Sequence, residues 1–290
     1  MPGATHSEPV AILVDGEPAA SLNALDRGLH YGDGLFETMA LVDGDVLWAE
    51  DHLRRLGQGM DRLGIAGLDM PALREEMARL AEGVARGVLK LIVTRGAGGR
   101  GYGPPGDVSP TRVLMRYPWP APPAGAAEDG VRLRCCETPL GRNPRLAGIK
   151  HLNRLEQVLA RREWEERGID ADIVEGLMFD EKGLLIEGVS SNVFLCRGDT
   201  ILTPRLDHCG VRGIVRQKLS EIATILSMQL IEKDIDRGGL EALLDEGAGL
   251  FLTNSLIGLW PARELDGRAI PIPDAVRRLQ AALARQRGAS

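Results

Sequence analysis

At 290 residues the chain exceeds the roughly 100 to 200 residues of a usual single-core domain, so two domains are expected. Its 44% hydrophobic and 26% charged residues are those of a globular protein with a sizeable core. The formal charge of -6, without a basic patch, excludes nucleic acid as a default partner and points to a small-molecule ligand, and no apolar run approaches the roughly 18 residues of a membrane span.

Met1 to Pro9 lack the charged-then-apolar pattern of a signal peptide, so a cytoplasmic protein is expected. Cys135, Cys136, Cys196 and Cys209 form no CxxC pair, and His6, His30, His52, His151 and His208 form no HExxH or Cys/His cluster. Reduced thiols and no metal site are the expectation.

Residues 10–14 read as a strand ending in an Asp15-Gly16 turn, and residues 37–42, Asp43-Gly44 and residues 46–48 read as a hairpin. Leu53, Leu56, Met60 and Leu63 then recur at helical spacing, and Leu73, Met77 and Leu80 repeat it behind the helix start Asp69-Met70-Pro71. Residues 88–94 and 112–117 are strand-like and bracket residues 95–106, whose Gly- and Pro-rich composition predicts a mobile loop. That loop has neither the GxxxxGK[ST] order nor the following helix of a phosphate cradle. Residues 118–127, Pro-Trp-Pro-Ala-Pro-Pro-Ala-Gly-Ala-Ala, have the stiff composition of an interdomain connector. It divides an N-terminal α/β domain, 1–117, from a C-terminal domain, 128–290, that carries Lys150.

Beyond the connector, residues 131–136 form a strand, and Leu152, Leu155, Val158 and Leu159 mark one face of a helix running to about Arg167. Residues 173–179, 184–188 and 192–196 read as strands, with Gly198-Asp199 turning into a strand at 201–203. Residues 210–227 read as a helix with Ile214, Val215, Leu219, Ile222 and Leu226 facing inward. A strand near 229–235, a short helix near Leu240, a strand at 250–253 and a helix from about Pro273 follow. Strands joined without intervening helices imply an α/β fold of the α+β kind, two α/β domains with mixed or antiparallel sheets.

Of five lysines, Lys150 alone lies in a Gly-Ile-Lys step between a loop and a helix start, which suits a constrained, half-buried amine. A Schiff-base lysine needs such an amine, together with an acid for the cofactor's ring nitrogen and donors for its phosphate.

Residues 140–157, Leu-Gly-Arg-Asn-Pro-Arg-Leu-Ala-Gly-Ile-Lys-His-Leu-Asn-Arg-Leu-Glu-Gln, resemble the lysine segment of the fold-type IV pyridoxal-phosphate enzymes, a class IV aminotransferase-like family, and more narrowly of its aminodeoxychorismate lyases. The resemblance covers nearly the whole chain. Tyr31-Gly-Asp-Gly-Leu-Phe-Glu37 is similar to the family's N-terminal strand motif. His52-Leu-Arg-Arg-Leu56 matches the helix whose arginine holds the cofactor phosphate, which implies Arg55 for that role. Leu185-Ile-Glu-Gly-Val-Ser-Ser-Asn-Val-Phe194 implies that Glu187 bonds the pyridine nitrogen and keeps it protonated. Gly210-Val-Arg-Gly213, at a helix start, offers Val211 and Arg212 as main-chain phosphate donors. Thr253-Asn-Ser-Leu256 aligns with the other phosphate-side turn, with the Ser255 hydroxyl as donor and Asn254 close to substrate. Arg100 and Tyr102 match positions that related transaminases use for a substrate carboxylate, and with Tyr31 they form the expected recognition set.

The resemblance further implies the D-amino acid aminotransferase-like fold, pyridoxal 5'-phosphate as cofactor and a homodimer. The implied reaction starts from 4-amino-4-deoxychorismate. Lys150 takes the C4 proton, pyruvate leaves, and the ring aromatises to 4-aminobenzoate, a folate precursor. The alternative is a transaminase of D-amino or branched-chain amino acids, which shares the first half-reaction. Glu37 favours it, since some lyases resembling this chain carry threonine there and transaminases usually glutamate. The run around Lys150 and Thr203-Pro-Arg-Leu-Asp-His-Cys-Gly-Val211 favour the lyase. A ligand-binding relative without catalysis is opposed by the joint presence of Lys150, Glu187 and Arg55.

Overall fold

A computed structural model describes residues 7–106, 108–165 and 172–288, and the chain divides into two compact units. Of the described residues, the N-terminal unit holds those up to Pro120 together with Ile149–Asn153, and the C-terminal unit holds Ala121–Gly148 and those from Arg154 onward.

In the N-terminal unit the elements are β1 (Ala11–Val14), β2 (Glu17–Pro18), α1 (Arg27–Tyr31), β3 (Gly34–Val42), β4 (Asp45–Val46), α2 (Ala49–Leu63), α3 (Met70–Ala81), β5 (Arg86–Thr94) and β6 (Thr111–Pro118). The strands form one sheet, order β2-β1-β6-β5-β3-β4, with every neighbouring pair antiparallel. Asp15-Gly16 and Asp43-Gly44 adopt positive φ at both residues, the mirror-image turn that suits a tight hairpin. Alternation along β3 and β5 buries Leu35, Met39 and Leu41 with Leu89, Leu91 and Val93 on one face. The apolar stripes of α2 (Leu53, Leu56, Met60) and α3 (Leu73, Met77, Leu80) are buried as well, and α2 packs along β3.

The five residues Ile149–Asn153 add to this sheet. Phe36 N–H donates to the Lys150 carbonyl at 2.9 Å and Leu152 N–H to the Gly34 carbonyl at 3.0 Å, pairing His151 antiparallel with Leu35. Lys150 is therefore carried by the N-terminal unit, not by the C-terminal domain where a linear division of the sequence puts it. Chain order hides this, because the pairing with β3 spans more than a hundred residues.

The C-terminal unit contains β7 (Val131–Cys135), α4 (Leu155–Glu165), β8 (Ile173–Phe179), β9 (Leu185–Gly188), β10 (Asn192–Arg197), β11 (Thr200–Pro204), α5 (Ile214–Ile225), β12 (Gln229–Lys233), α6 (Arg237–Asp245), β13 (Gly249–Asn254), β14 (Gly258–Leu265), β15 (Arg268–Ala269) and α7 (Asp274–Gln286). Its mixed sheet runs β12-β11-β10-β13-β14-β7-β8-β9, with β15 on β14. Val193, Leu195, Leu250 and Leu252 enter a core shared with Leu240 and Leu244 of α6. Their alternates Phe194 and Phe251 stack, ring centres 5.0 Å apart, as a cross-strand pair.

Two helices depart from their sequence reading. Leu155, Val158 and Leu159 of α4 are 77%, 53% and 50% exposed, and the helix packs instead through Ala160 and Trp164. Leu152 precedes that helix and belongs to the edge pairing on β3, and the helix end expected near Arg167 lies outside the described residues. The second departure is α5, which begins at Ile214 rather than at Gly210. Among the described residues no helix is long and apolar enough to cross a membrane.

Candidate active site

Pairing with β3 leaves the Lys150 ammonium 4.4 Å from the centre of the Phe36 ring. Lys90 Nζ lies 5.9 Å from the same ring. Lys90 stands opposite Thr38, so Lys90, Thr38 and Phe36 share one sheet face. Burial pushes the Lys90 pKa down, and among the described residues Lys90 has no hydrogen-bond or ion-pair partner. Sequence reasoning passed over Lys90; its signal is one charge within the apolar run 88–93.

Arg55 projects from α2 into a buried cluster. Its Nε donates to Glu37 Oε1 at 2.8 Å and its Nη2 to Glu37 Oε2, while His52 Nδ1 lies 2.7 Å from Oε2. Burial alone would raise the Glu37 pKa, but the Arg55 charge and the bonds from His52 and Arg55 hold it at about 2. Glu37 is thus the anchor of Arg55, buried on the helix-covered face of β3. Its carboxylate oxygens are taken by Arg55 and His52.

The recognition set of the N-terminal unit is partly assembled. Tyr31 Oη accepts the Gly101 N–H at 3.1 Å, and the Tyr31 and Tyr102 rings are tilted at 5.5 Å. Arg100 and Tyr102 are both exposed on the loop between β5 and β6. The described residues of that loop form no helix or strand, as its composition demands, yet it is tied to α1 by several hydrogen bonds described below.

In the C-terminal unit Glu187 is buried on β9, and its Oε2 accepts the Val211 N–H at 2.7 Å. The Arg212 N–H donates to the Gly148 carbonyl at 3.1 Å. Both amides assigned to the phosphate from sequence are therefore engaged within the protein. Asn192 completes the turn, its Nδ2 donating to the Val211 carbonyl at 2.8 Å and its Oδ1 accepting the Gly213 N–H at 3.0 Å. Because α5 starts at Ile214, the amides without a carbonyl four residues back in the helix are those of Ile214, Val215 and Arg216.

The β9–β10 turn is held by Glu175, which sequence reading missed. Its Oε2 accepts the Ser190 hydroxyl at 2.5 Å, the Ser190 N–H at 3.2 Å and the Ser191 hydroxyl at 3.3 Å. Burial raises the Glu175 pKa in spite of these bonds. On the β13–β14 turn, Asn254 Oδ1 accepts the Leu256 and Ile257 amides at 2.9 Å each, and Nδ2 donates to the Ser190 carbonyl at 3.2 Å. Asn254 thereby shapes the turn that carries Ser255. The neighbouring Thr253 hydroxyl is buried with no hydrogen-bond partner among the described residues.

The N-terminal unit thus carries a lysine amine beside an aromatic ring, and the C-terminal unit a buried carboxylate and a helix N-terminus. The chain belongs to the class IV amino-transferase family, whose model matches residues 34–265. It is similar to the 4-amino-4-deoxychorismate lyase of Pseudomonas aeruginosa, at 46% identity and a TM-score of 0.87, over 94% of this chain and 98% of that one. The aminodeoxychorismate lyase of Vibrio harveyi is 31% identical over 272 residues, 92% of this chain and 97% of its own. A putative branched-chain-amino-acid aminotransferase of Methanocaldococcus jannaschii is 31% identical over 264 residues, 88% of this chain and 86% of its own. The two mixed α/β units accordingly have the fold of the fold-type IV aminotransferases.

Proposed function

We propose that this chain is a pyridoxal-phosphate-dependent carbon-oxygen lyase that converts 4-amino-4-deoxychorismate to 4-aminobenzoate and pyruvate in the supply of folate precursors. The observation that carries this reading is the 46% identity with the Pseudomonas aeruginosa lyase over nearly all of both chains.

The residues fit the cofactor. Lys150 offers an amine, Glu187 a buried carboxylate for a ring nitrogen, Arg55 a guanidinium already oriented by Glu37, and Ser255 a hydroxyl. The unsatisfied Thr253 hydroxyl beside Ser255 is a buried polar atom of the kind that a bound group completes. Ile214 and Val215 replace Val211 and Arg212 as the main-chain phosphate donors. When bound, the cofactor supplies an electron sink for the pair released at the substrate's amine-bearing carbon.

Lys150 then acts as a proton carrier, its Nζ taking the substrate's C4 proton and returning a proton as pyruvate departs. Glu187 keeps a proton on the ring nitrogen by its negative charge. The substrate bears two carboxylates, and Lys90, on the sheet face of Phe36, joins Tyr31, Arg100 and Tyr102 as a cation for one of them. The exposed Leu155, Val158 and Leu159 face of α4 supports a homodimer, and four free cysteines support a reducing, cytoplasmic setting.

The second reading, a transaminase of D-amino or branched-chain amino acids, is favoured by the 31% identity with the Methanocaldococcus protein. Incubation with 4-amino-4-deoxychorismate, and separately with D-alanine or leucine plus 2-oxoglutarate, decides between them. We expect 4-aminobenzoate from the first and no oxo acid from the second; turnover of the amino acids alone would sink the lyase reading. Lys150→Ala is expected to abolish both product and the absorbance at the visible edge that marks a lysine-bound cofactor.

A further inference from the structure

Arg27 is a buried cation to which neither the family resemblance nor the proposed reaction gives a part. It opens α1 and is only 4% exposed. Its Nε donates to Asp33 Oδ2 at 2.9 Å, its Nη1 to the Gly101 carbonyl at 2.9 Å and more weakly to that of Gly103 at 3.5 Å, and its Nη2 to the Tyr102 carbonyl at 3.1 Å. Three successive loop carbonyls thus converge on one guanidinium, whose carbon lies 4.8 Å from the centre of the Tyr31 ring.

The start of the same loop is tied to the same carboxylate. Arg95 donates to Asp33 through Nε at 2.8 Å and Nη2 at 3.0 Å, and it also bonds the Leu63 and Gly64 carbonyls at 2.7 Å each. Main-chain bonds from Arg27 to the Gly96 carbonyl and from Gly98 to the Leu25 carbonyl, 2.9 and 3.0 Å, complete the attachment. Gly98 allows it, since a Cβ there would lie 2.9 Å from Arg27 Cδ.

Removing a guanidinium from water is costly, and an apolar side chain could fill the same volume without that cost. What an apolar side chain lacks is a rigid fork of five donors. A loop with glycines at 96, 98, 99, 101, 103 and 106 has little preference of its own and loses much backbone entropy when ordered. Its placement must come from outside it. Binding the backbone of Gly101–Gly103 inward turns the flanking side chains outward: Tyr102 is 87% exposed, and Arg100 is exposed with no ion pair or hydrogen bond among the described residues.

We propose that Arg27 is a positioning residue which, fixed by Asp33, sets the backbone of residues 101–103 and so presents Arg100 and Tyr102 to the carboxylates of the substrate. This rests on the lyase reading only for the identity of the substrate. The attachment of the loop to Arg27 is independent of it.

The test uses the holoenzyme and its Arg27→Lys and Asp33→Asn variants. Lysine keeps the charge but not the fork, and asparagine weakens the carboxylate's hold on both Arg27 and Arg95 while leaving the Arg27 fork itself intact. The first measurement is the rate of trypsin cleavage after Arg100, read by intact mass, which follows local opening of the loop. We expect ~10-fold or faster cleavage at that bond in both variants. The second measurement is turnover of 4-amino-4-deoxychorismate, where we expect KM to rise ~10-fold or more with a smaller change in kcat. An unchanged visible-edge absorbance will show that the variants are folded and loaded. Wild-type cleavage rates at Arg100 would overturn the proposal, and so would faster cleavage with an unchanged KM. If the wild-type enzyme does not consume 4-amino-4-deoxychorismate at all, the lyase reading fails, and the same KM comparison is then made with the amino acid that it does accept.

Discussion

A carboxylate and a guanidinium in the same buried cluster decide how Arg55 is to be understood. Its family role is to hold a phosphate, but the Glu37 carboxylate holds Arg55 through Nε and Nη2, with His52 on the same oxygen as Nη2. Arg55→Ala therefore removes more than a ligand contact: it strands a buried carboxylate, at a cost of about 3–5 kcal/mol. We expect this loss in denaturant unfolding of the cofactor-free protein, where no phosphate is present to confuse the result. The acid limb carries the same signature. Glu37 is depressed to about 2 from 4.5, so its contribution is complete above the unfolded value and is lost as pH falls towards the folded one. Wild-type stability should fall from about pH 5 to about pH 2, and Arg55→Ala should flatten that part of the profile. From sequence, Glu37 was legible only as a mark of substrate class, because one strand and one helix 15 to 18 residues apart give no sign that they share an ion pair.

Among the elements, those with strong periodicity and turn chemistry were readable. The Asp-Gly turns, the stripes of α2 and α3, and the Pro71 helix start all stand where the sequence puts them. Two helices were read correctly as helices, but α4 with the wrong face inward and α5 with its start one turn too early. The Leu-Leu-Val-Leu spacing at 152–159 looks like a core stripe, yet the volume that α4 fills is supplied by Ala160 and Trp164. Helical periodicity identifies an apolar face but not what covers it. If a second copy covers this one, Val158→Glu places an unpaired charge in the contact and weakens the dimer by roughly 1–3 kcal/mol, which light scattering at graded concentration will detect. A monomeric wild type would remove the assumption. For α5, Gly210 at φ +83° and the Asn192 clamp on Val211 and Gly213 postpone the helix by one turn. No local pattern announces that clamp, since Asn192 lies about twenty residues upstream.

The whole molecule distributes its chemistry in a way that chain order conceals. Glu187, Ser255 and the start of α5 belong to one unit, and Lys150 to the other through Ile149–Asn153 alone. Sequence motifs found the residues because motifs are local; they could not say which sheet each residue joins. The attachment makes its own prediction. Leu152→Pro removes the N–H that reaches the Gly34 carbonyl while leaving Lys150 in the chain. We expect the absorbance of the lysine-bound cofactor to fall ~10-fold or more at equal cofactor concentration, with the far-ultraviolet dichroism unchanged. Retained absorbance would mean that Lys150 is placed by something other than the edge pairing. The pairing also makes Lys150 sensitive to counting. Side chains alternate across a strand, so adding or deleting one residue between Gly148 and Lys150 swings the amine to the opposite face of the sheet without altering a single side chain. Spacing here acts as a parity condition: at this point a change of one residue in length is more damaging than most changes of residue type.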